Sequence, residues 1–112
     1  MATYDKAHEL ARDLKSSSEY KDYQRAKQEL LANEAALSIL KDYQKKRLTF
    51  EMELLSGKTP DSAKKEELDK ITELVNMHGG VKRFLDAEQR VMIMMTDIQR
   101  ILTEALDLLD YR

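Results

Sequence analysis

The chain has 112 residues, 36% of them charged with a formal net charge of -2, and it carries three glycines, one proline and no cysteine. That length suits one helical domain over residues 1–112, and the missing cysteines exclude disulfides, thiolate metal sites and Cys nucleophiles. Charges of both signs are interspersed, so no long-range field favours nucleic acid or an anionic membrane.

Roughly half of the residues are Ala, Glu, Lys, Leu or Arg, the composition of long helices and coiled coils. Met1-Ala-Thr-Tyr-Asp5 leads into no apolar targeting core, and no run approaches the ~18 apolar residues of a membrane span. The expectation is a cytoplasmic protein outside the membrane.

In chain order, Thr3 can N-cap a first helix to about Lys15, with Tyr4, Ala7, Leu10, Ala11 and Leu14 along one side. Ser16-Ser17-Ser18 interrupts it, because serine hydroxyls compete for backbone hydrogen bonds. Ser18 is the expected N-cap of a second helix, Glu19 to Ala32. Asn33 is either a sharp break or the N-cap of a third, Glu34 to about Ser56, with its own apolar stripe interrupted by Arg47. Within Ser56-Gly57-Lys58-Thr59-Pro60, Gly57 suits a C′ position, Thr59 an N-cap and Pro60 the first helical position. The chain should reverse there into a fourth helix, ending near Met77, whose stripe of Leu68, Ile71, Leu74 and Val75 is narrow. Gly79-Gly80 then implies a C-cap, kink or hinge, since helix-interior glycines cost about 1 kcal/mol each relative to Ala.

The last helix, Val81 to Leu109, is the most apolar. With Val81 at heptad position a, the seam carries Val81, Glu88, Met95, Leu102 and Leu109 at a and Phe84, Val91, Ile98 and Ala105 at d. Leu85, Met92 and Leu106 at e, with Ala87, Met94, Ile101 and Leu108 at g, widen it to an arc of roughly 160°. Such a face needs two packing partners. The third helix is the expected first, giving an all-α helical bundle of about five helices with two long antiparallel helices. A second partner would cover an interface centred on Val91, Met92, Met94, Met95 and Ile98, where methionine suits adaptable contacts. Ile93, at position f, would otherwise face water.

Glu88 and Arg47 each interrupt an apolar stripe with opposite charge, and an ion pair between them would fix the register of the two long helices. Lys82 and Arg83 near the start of the last helix, with Asp107 and Asp110 near its end, oppose the macrodipole. An antiparallel second copy, crossing near Met95, would bring the basic end to the acidic end, as a self-complementary two-fold interface requires. His8 and His78 read as solvated or capping residues, because no metal-ligand spacing surrounds them. No phosphate loop, nucleophile elbow or other catalytic signature occurs, so no enzyme, metal or cofactor is expected. Lys45-Lys46-Arg47 and Lys64-Lys65 sit among acids and form no basic stripe, so nucleic acid is disfavoured as a partner.

Tyr4-Asp5 with Leu10 and Leu14, Ser18-Glu19-Tyr20, Ala32-Asn33-Glu34 with Ala36, Gln44, the Gly57 loop and Phe84-Leu85-Asp86-Ala87-Glu88-Gln89-Arg90 form a set. On these residues the chain resembles the small all-helical YlbF/YmcA family of bacterial proteins, and most closely its YheA-like branch. The resemblance implies an all-helical, dimeric protein of a Gram-positive-type cytoplasm. It also implies a non-enzymatic regulator or adaptor in complexes governing competence, sporulation and biofilm development, with a ribonuclease-associated complex as a protein partner. Relatives that hold iron-sulfur clusters do so through cysteines, which this chain lacks. The alternatives are a nucleic-acid-associated factor in RNA processing and a purely structural homo-oligomer.

Overall fold

A computed structural model describes residues 1–107. The fold is an all-α bundle of five helices: α1 (Ala2–Lys15), α2 (Ser18–Leu31), α3 (Glu34–Leu55), α4 (Ser62–Met77) and α5 (Gly79–Leu106). The long helices are α3 and α5, with 22 and 28 residues. By its contacts the chain forms two compact units, one made of Met1–Arg25 with the chain from Asp86 onward, the other of Ala26–Leu85.

The helix boundaries follow side-chain chemistry, and several differ from the sequence-based expectation. Helix α1 begins at Ala2, with Met1 at the cap position and no side-chain cap, so Thr3 lies inside the first turn. Ser17 rather than Ser18 caps α2: its Oγ accepts the Tyr20 N–H at 3.2 Å and also donates to the Leu14 carbonyl at 2.6 Å. One hydroxyl therefore serves the last turn of α1 and the first of α2. Ser18 turns instead to its neighbour, donating to Glu19 Oε1 at 2.7 Å. Asn33 is an N-cap, its side chain accepting the Ala36 N–H at 3.1 Å from an extended backbone.

The Ala26–Leu85 unit is built on the hairpin of α3 and α4, which pack against each other. Gly57 occupies the left-handed region at φ 80, and the N–H groups of Gly57 and Lys58 donate to the carbonyls of Leu54 and Glu53. This is the double closure of a Schellman motif, and a left-handed C′ residue is what makes it possible. The next helix starts later than Thr59 and Pro60 suggest. Asp61 is the cap, its carboxylate accepting the Ala63 N–H at 3.1 Å, and Pro60 stays outside the helix. A carboxylate both satisfies the orphan N–H and complements the positive helix end, an advantage Thr59 lacks. Lys64 then bridges to Glu53 across the hairpin.

The apolar interior of this unit gathers at the other end of the hairpin. Ala26 and Leu30 from α2, Ala36 and Leu40 from α3, Ile71 and Val75 from α4, and Val81 and Phe84 from α5 are all buried. The α4 stripe thus buries two of its four predicted members; Leu68 is half-buried and Leu74 exposed.

A single residue, His78, joins α4 to α5. Its N–H donates to the carbonyls of Leu74 and Val75, its carbonyl accepts from Lys82, and its Nδ1 accepts the Val81 N–H at 3.4 Å. His78 therefore caps both helices, one of the roles expected of it. Gly79 and Gly80 are not a spacer but the first turn of α5. A Cβ on Gly80 would sit 3.4 Å from the His78 ring, in van der Waals contact with the capping imidazole. At its far end α5 stops at Leu106, with Asp107 in the left-handed region at φ 54. The expected continuation through Leu108, Leu109 and Asp110 lies outside the described residues.

Candidate interaction surface

The unit made of Met1–Arg25 and the chain from Asp86 onward contains the residues that the sequence marks as an interface. Along one face of α5, Ala87 is buried, Val91, Met94 and Ile98 are half-buried, and Ile101, Leu102, Ala105 and Leu106 are exposed. The stripe keeps its helical spacing while its cover runs out. Ile101, Leu102 and Leu106 are 65%, 53% and 64% exposed, and Met92, Ile93 and Met95 are exposed as well. Large apolar side chains at this density on one helix exceed the scattered exposure normal for a protein surface.

Helix α1 has the same character. None of its 14 residues is buried; Tyr4, Ala7, Leu10 and Ala11 are exposed, and only Leu14 on that side is half-buried. A helix of that length is marginal in water unless its apolar side is covered. Where α1, α2 and α5 approach, Ala11, Leu14, Lys15, Tyr20, Val91, Met94 and Met95 line an open apolar groove. Tyr20 is held by stacking on Tyr23, with ring centroids 6.1 Å apart.

The flank of this face is charged. Glu19 and Arg90 border a second depression with Ile93, Met94, Asp97 and Ile98. The Ser18 hydroxyl holds the Glu19 carboxyl below its ordinary value, with Glu19's own backbone N–H and the Arg90 charge acting in the same direction. Asp97 accepts from Arg100 at 3.3 Å one turn along α5. These groups rim the apolar stripe without entering it.

Of the five predicted interface residues, Met92 and Met95 are exposed and Val91, Met94 and Ile98 are half-buried, with Val91, Met94 and Met95 together in the groove. Beyond them the exposed apolar stripe continues through Ile101, Leu102 and Leu106, residues already in the heptad pattern. Arg47 lies in the other unit, more than half exposed, its Nε donating to Glu51 Oε1 at 2.9 Å. That bond, first among the causes, raises the guanidinium above its ordinary pKa. Glu88 is half-buried on α5. Among the described residues no cluster of three or more His, Asp or Glu is placed to hold a metal ion, and no helix is long and apolar enough to cross a membrane.

Comparison with known proteins places this architecture. A UPF0342 protein of Halothermothrix orenii is 40% identical over 108 residues, covering 96% of this chain and 92% of that one. A UPF0342 protein of Symbiobacterium thermophilum is 35% identical over 104 residues, covering 93% of each. The solved structure of a protein of unknown function (DUF964) from Bacillus stearothermophilus matches with a TM-score of 0.81 at 18% identity, over 96% of this chain and 94% of that one. That likeness establishes the fold. The model of the family described as control of competence regulator ComK, YlbF/YmcA, matches residues 3–107, and the chain belongs to that family.

Proposed function

We propose that this protein is a non-enzymatic regulatory adaptor that works through helix-mediated protein-protein contact at the apolar face of α1 and α5. The observation that carries this reading is the uncovered stripe from Met95 to Leu106 beside a helix, α1, with no buried residue. Exposed apolar surface of this kind is costly to keep in water and is retained where a partner covers it. Membership of a family named for control of a competence regulator supports a regulatory consequence of that contact. Homodimerisation and recruitment of a further protein, such as a ribonuclease-associated regulatory complex, both belong to this proposal.

The test is genetic. Deleting the gene in a competence-capable host should change the amount of the competence regulator and the transformation frequency, with restoration by the wild-type chain and not by Met95→Glu. Unchanged regulator levels in the deletion strain would overturn the regulatory reading.

A further inference from the structure

One side of α3 carries an exposed row of its own. Lys41, Lys45, Leu48, Met52 and Leu55 follow one another at steps of four, three, four and three, the spacing of a coiled-coil seam. All five are exposed, Leu48, Met52 and Leu55 at 59%, 60% and 88%. The row is divided: its first two positions are lysines and its last three are apolar. We propose that this seam docks an amphipathic helix of a different protein, acidic along the half that meets Lys41 and Lys45 and apolar along the half that meets Leu48, Met52 and Leu55. The seam belongs to the Ala26–Leu85 unit, whereas the face of α1 and the later part of α5 belongs to the other. It is a second contact surface, independent of the first.

The charge balance of α3 leaves those two lysines for a partner. Between Leu37 and Leu55 the helix has three carboxylates, and each is engaged within the chain: Asp42 with Lys46 at 3.1 Å, Glu51 with Arg47 at 2.9 Å, and Glu53 with Lys64 across the hairpin. Among the described residues neither Lys41 nor Lys45 has an ion-pair partner. Glu67 lines the cleft between α3 and α4 together with Lys45, but its charge is shared with Lys64. Glu53 first, with Asp61 and Glu67 acting in the same direction, holds the Lys64 ammonium above its ordinary pKa. The remaining acid of α3, Glu34, stands in its first turn and complements the positive helix end.

The division of the row also selects among occupants. A second copy laid antiparallel about Leu48 sets Lys41 against Leu55 and Lys45 against Met52, so that each ammonium meets apolar surface with no counter-charge. A parallel copy sets each lysine against itself. Helices that lie on anionic membranes carry a strongly basic polar face, whereas here two cations are free and Glu51 flanks the row. A helix that is acidic in one half and apolar in the other satisfies both halves at once, with Leu48, Met52 and Leu55 as anchors at i, i+4 and i+7. From Lys41 to Leu55 the row rises about 21 Å along the helix axis, the length of a four-turn partner.

The probe is a fluorescein-labelled helical peptide of about four turns, with glutamate at the seam positions of one half and leucine at those of the other, made in both chain directions. A control peptide carries lysine for glutamate, and fluorescence anisotropy against the whole chain reads binding. One direction of the acidic peptide should bind about tenfold more tightly than its lysine control, with the preference fading in high salt. Lys41→Glu combined with Lys45→Glu should reverse that order, and Met52→Glu should weaken both peptides. These positions are exposed, and an unchanged circular dichroism melt identifies the variants as folded. Met95→Glu, on the α5 face, should leave peptide binding as in wild type, so that failure of either surface is read separately. Equal binding of acidic and lysine peptides, loss of binding in Met95→Glu, or no binding of either acidic peptide at millimolar concentration would overturn the proposal. So would adsorption to phosphatidylglycerol vesicles, abolished by the two lysine substitutions, in place of peptide binding.

Discussion

Asn33 and Ala36 are linked by a 3.1 Å hydrogen bond in which the Asn33 side chain accepts the N–H of a residue that is itself buried. The cap therefore does two things at once. It satisfies an orphan donor of α3 and holds the first turn so that Ala36 meets the interior of its unit. Asn33→Ala should lower the unfolding free energy by about 1 kcal/mol, whereas Asn33→Ser should stay within a few tenths. Urea denaturation at fixed pH measures both, and equal losses in the two variants would show that the side-chain acceptor is not what matters.

Gly57 gives a purely conformational test. Nothing lies within 4 Å of a Cβ built there, so Gly57→Ala creates no clash and reports only the cost of φ 80 for an L-residue. That cost is about 1–2 kcal/mol. Gly57→Asn should cost less, because asparagine tolerates the left-handed region. An unchanged denaturation midpoint for Gly57→Ala would mean that the turn relaxes to another geometry.

Arg47 and Glu51 stand one turn apart on α3, and both are more than half exposed. A double-mutant cycle to alanine should give a coupling of about 0.3–0.5 kcal/mol that fades in high salt. The register pair proposed from sequence, Arg47 with Glu88, asks for more than a surface pair supplies. The same cycle applied to Arg47 and Glu88 tests that pair, and additivity of the two single substitutions would remove it from consideration.

The helical periodicity was enough to read five helices and the most apolar face, because one residue in three or four must point inward whatever the tertiary arrangement. The caps were less legible. Thr59 and Asp61 are both good N-cap residues, as are Ser17 and Ser18, and the choice depends on which hydroxyl or carboxylate meets an N–H after the chain has turned. Gly79 and Gly80 read as a break because helix propensity penalises them. The joint instead falls at His78, whose backbone and imidazole serve the ends of both helices. The extent of cover along the apolar stripe of α5 was the least legible feature. Val91 and Leu102 both lie on the seam, yet of the two only Val91 lines the groove with Leu14 and Tyr20. What covers each position comes from other elements of the fold, which a pattern along α5 alone does not contain.

Leu30 and Leu102 separate folding from assembly. Leu30 is 2% exposed, and removing its side chain leaves a cavity, so Leu30→Ala should cost about 2–5 kcal/mol at any protein concentration. Leu102 is exposed in the single chain, and Leu102→Ala removes few contacts there. If a second copy covers Leu102, folding is linked to association by mass action, and the wild-type denaturation midpoint must rise with protein concentration. Leu102→Ala should then match wild type in dilute solution and fall below it as concentration increases, while Leu30→Ala lies below wild type throughout. A Leu102→Ala curve that tracks wild type from nanomolar to high micromolar concentration would show that this residue contributes nothing to assembly. The contrast reads association from stability alone, without any cross-link.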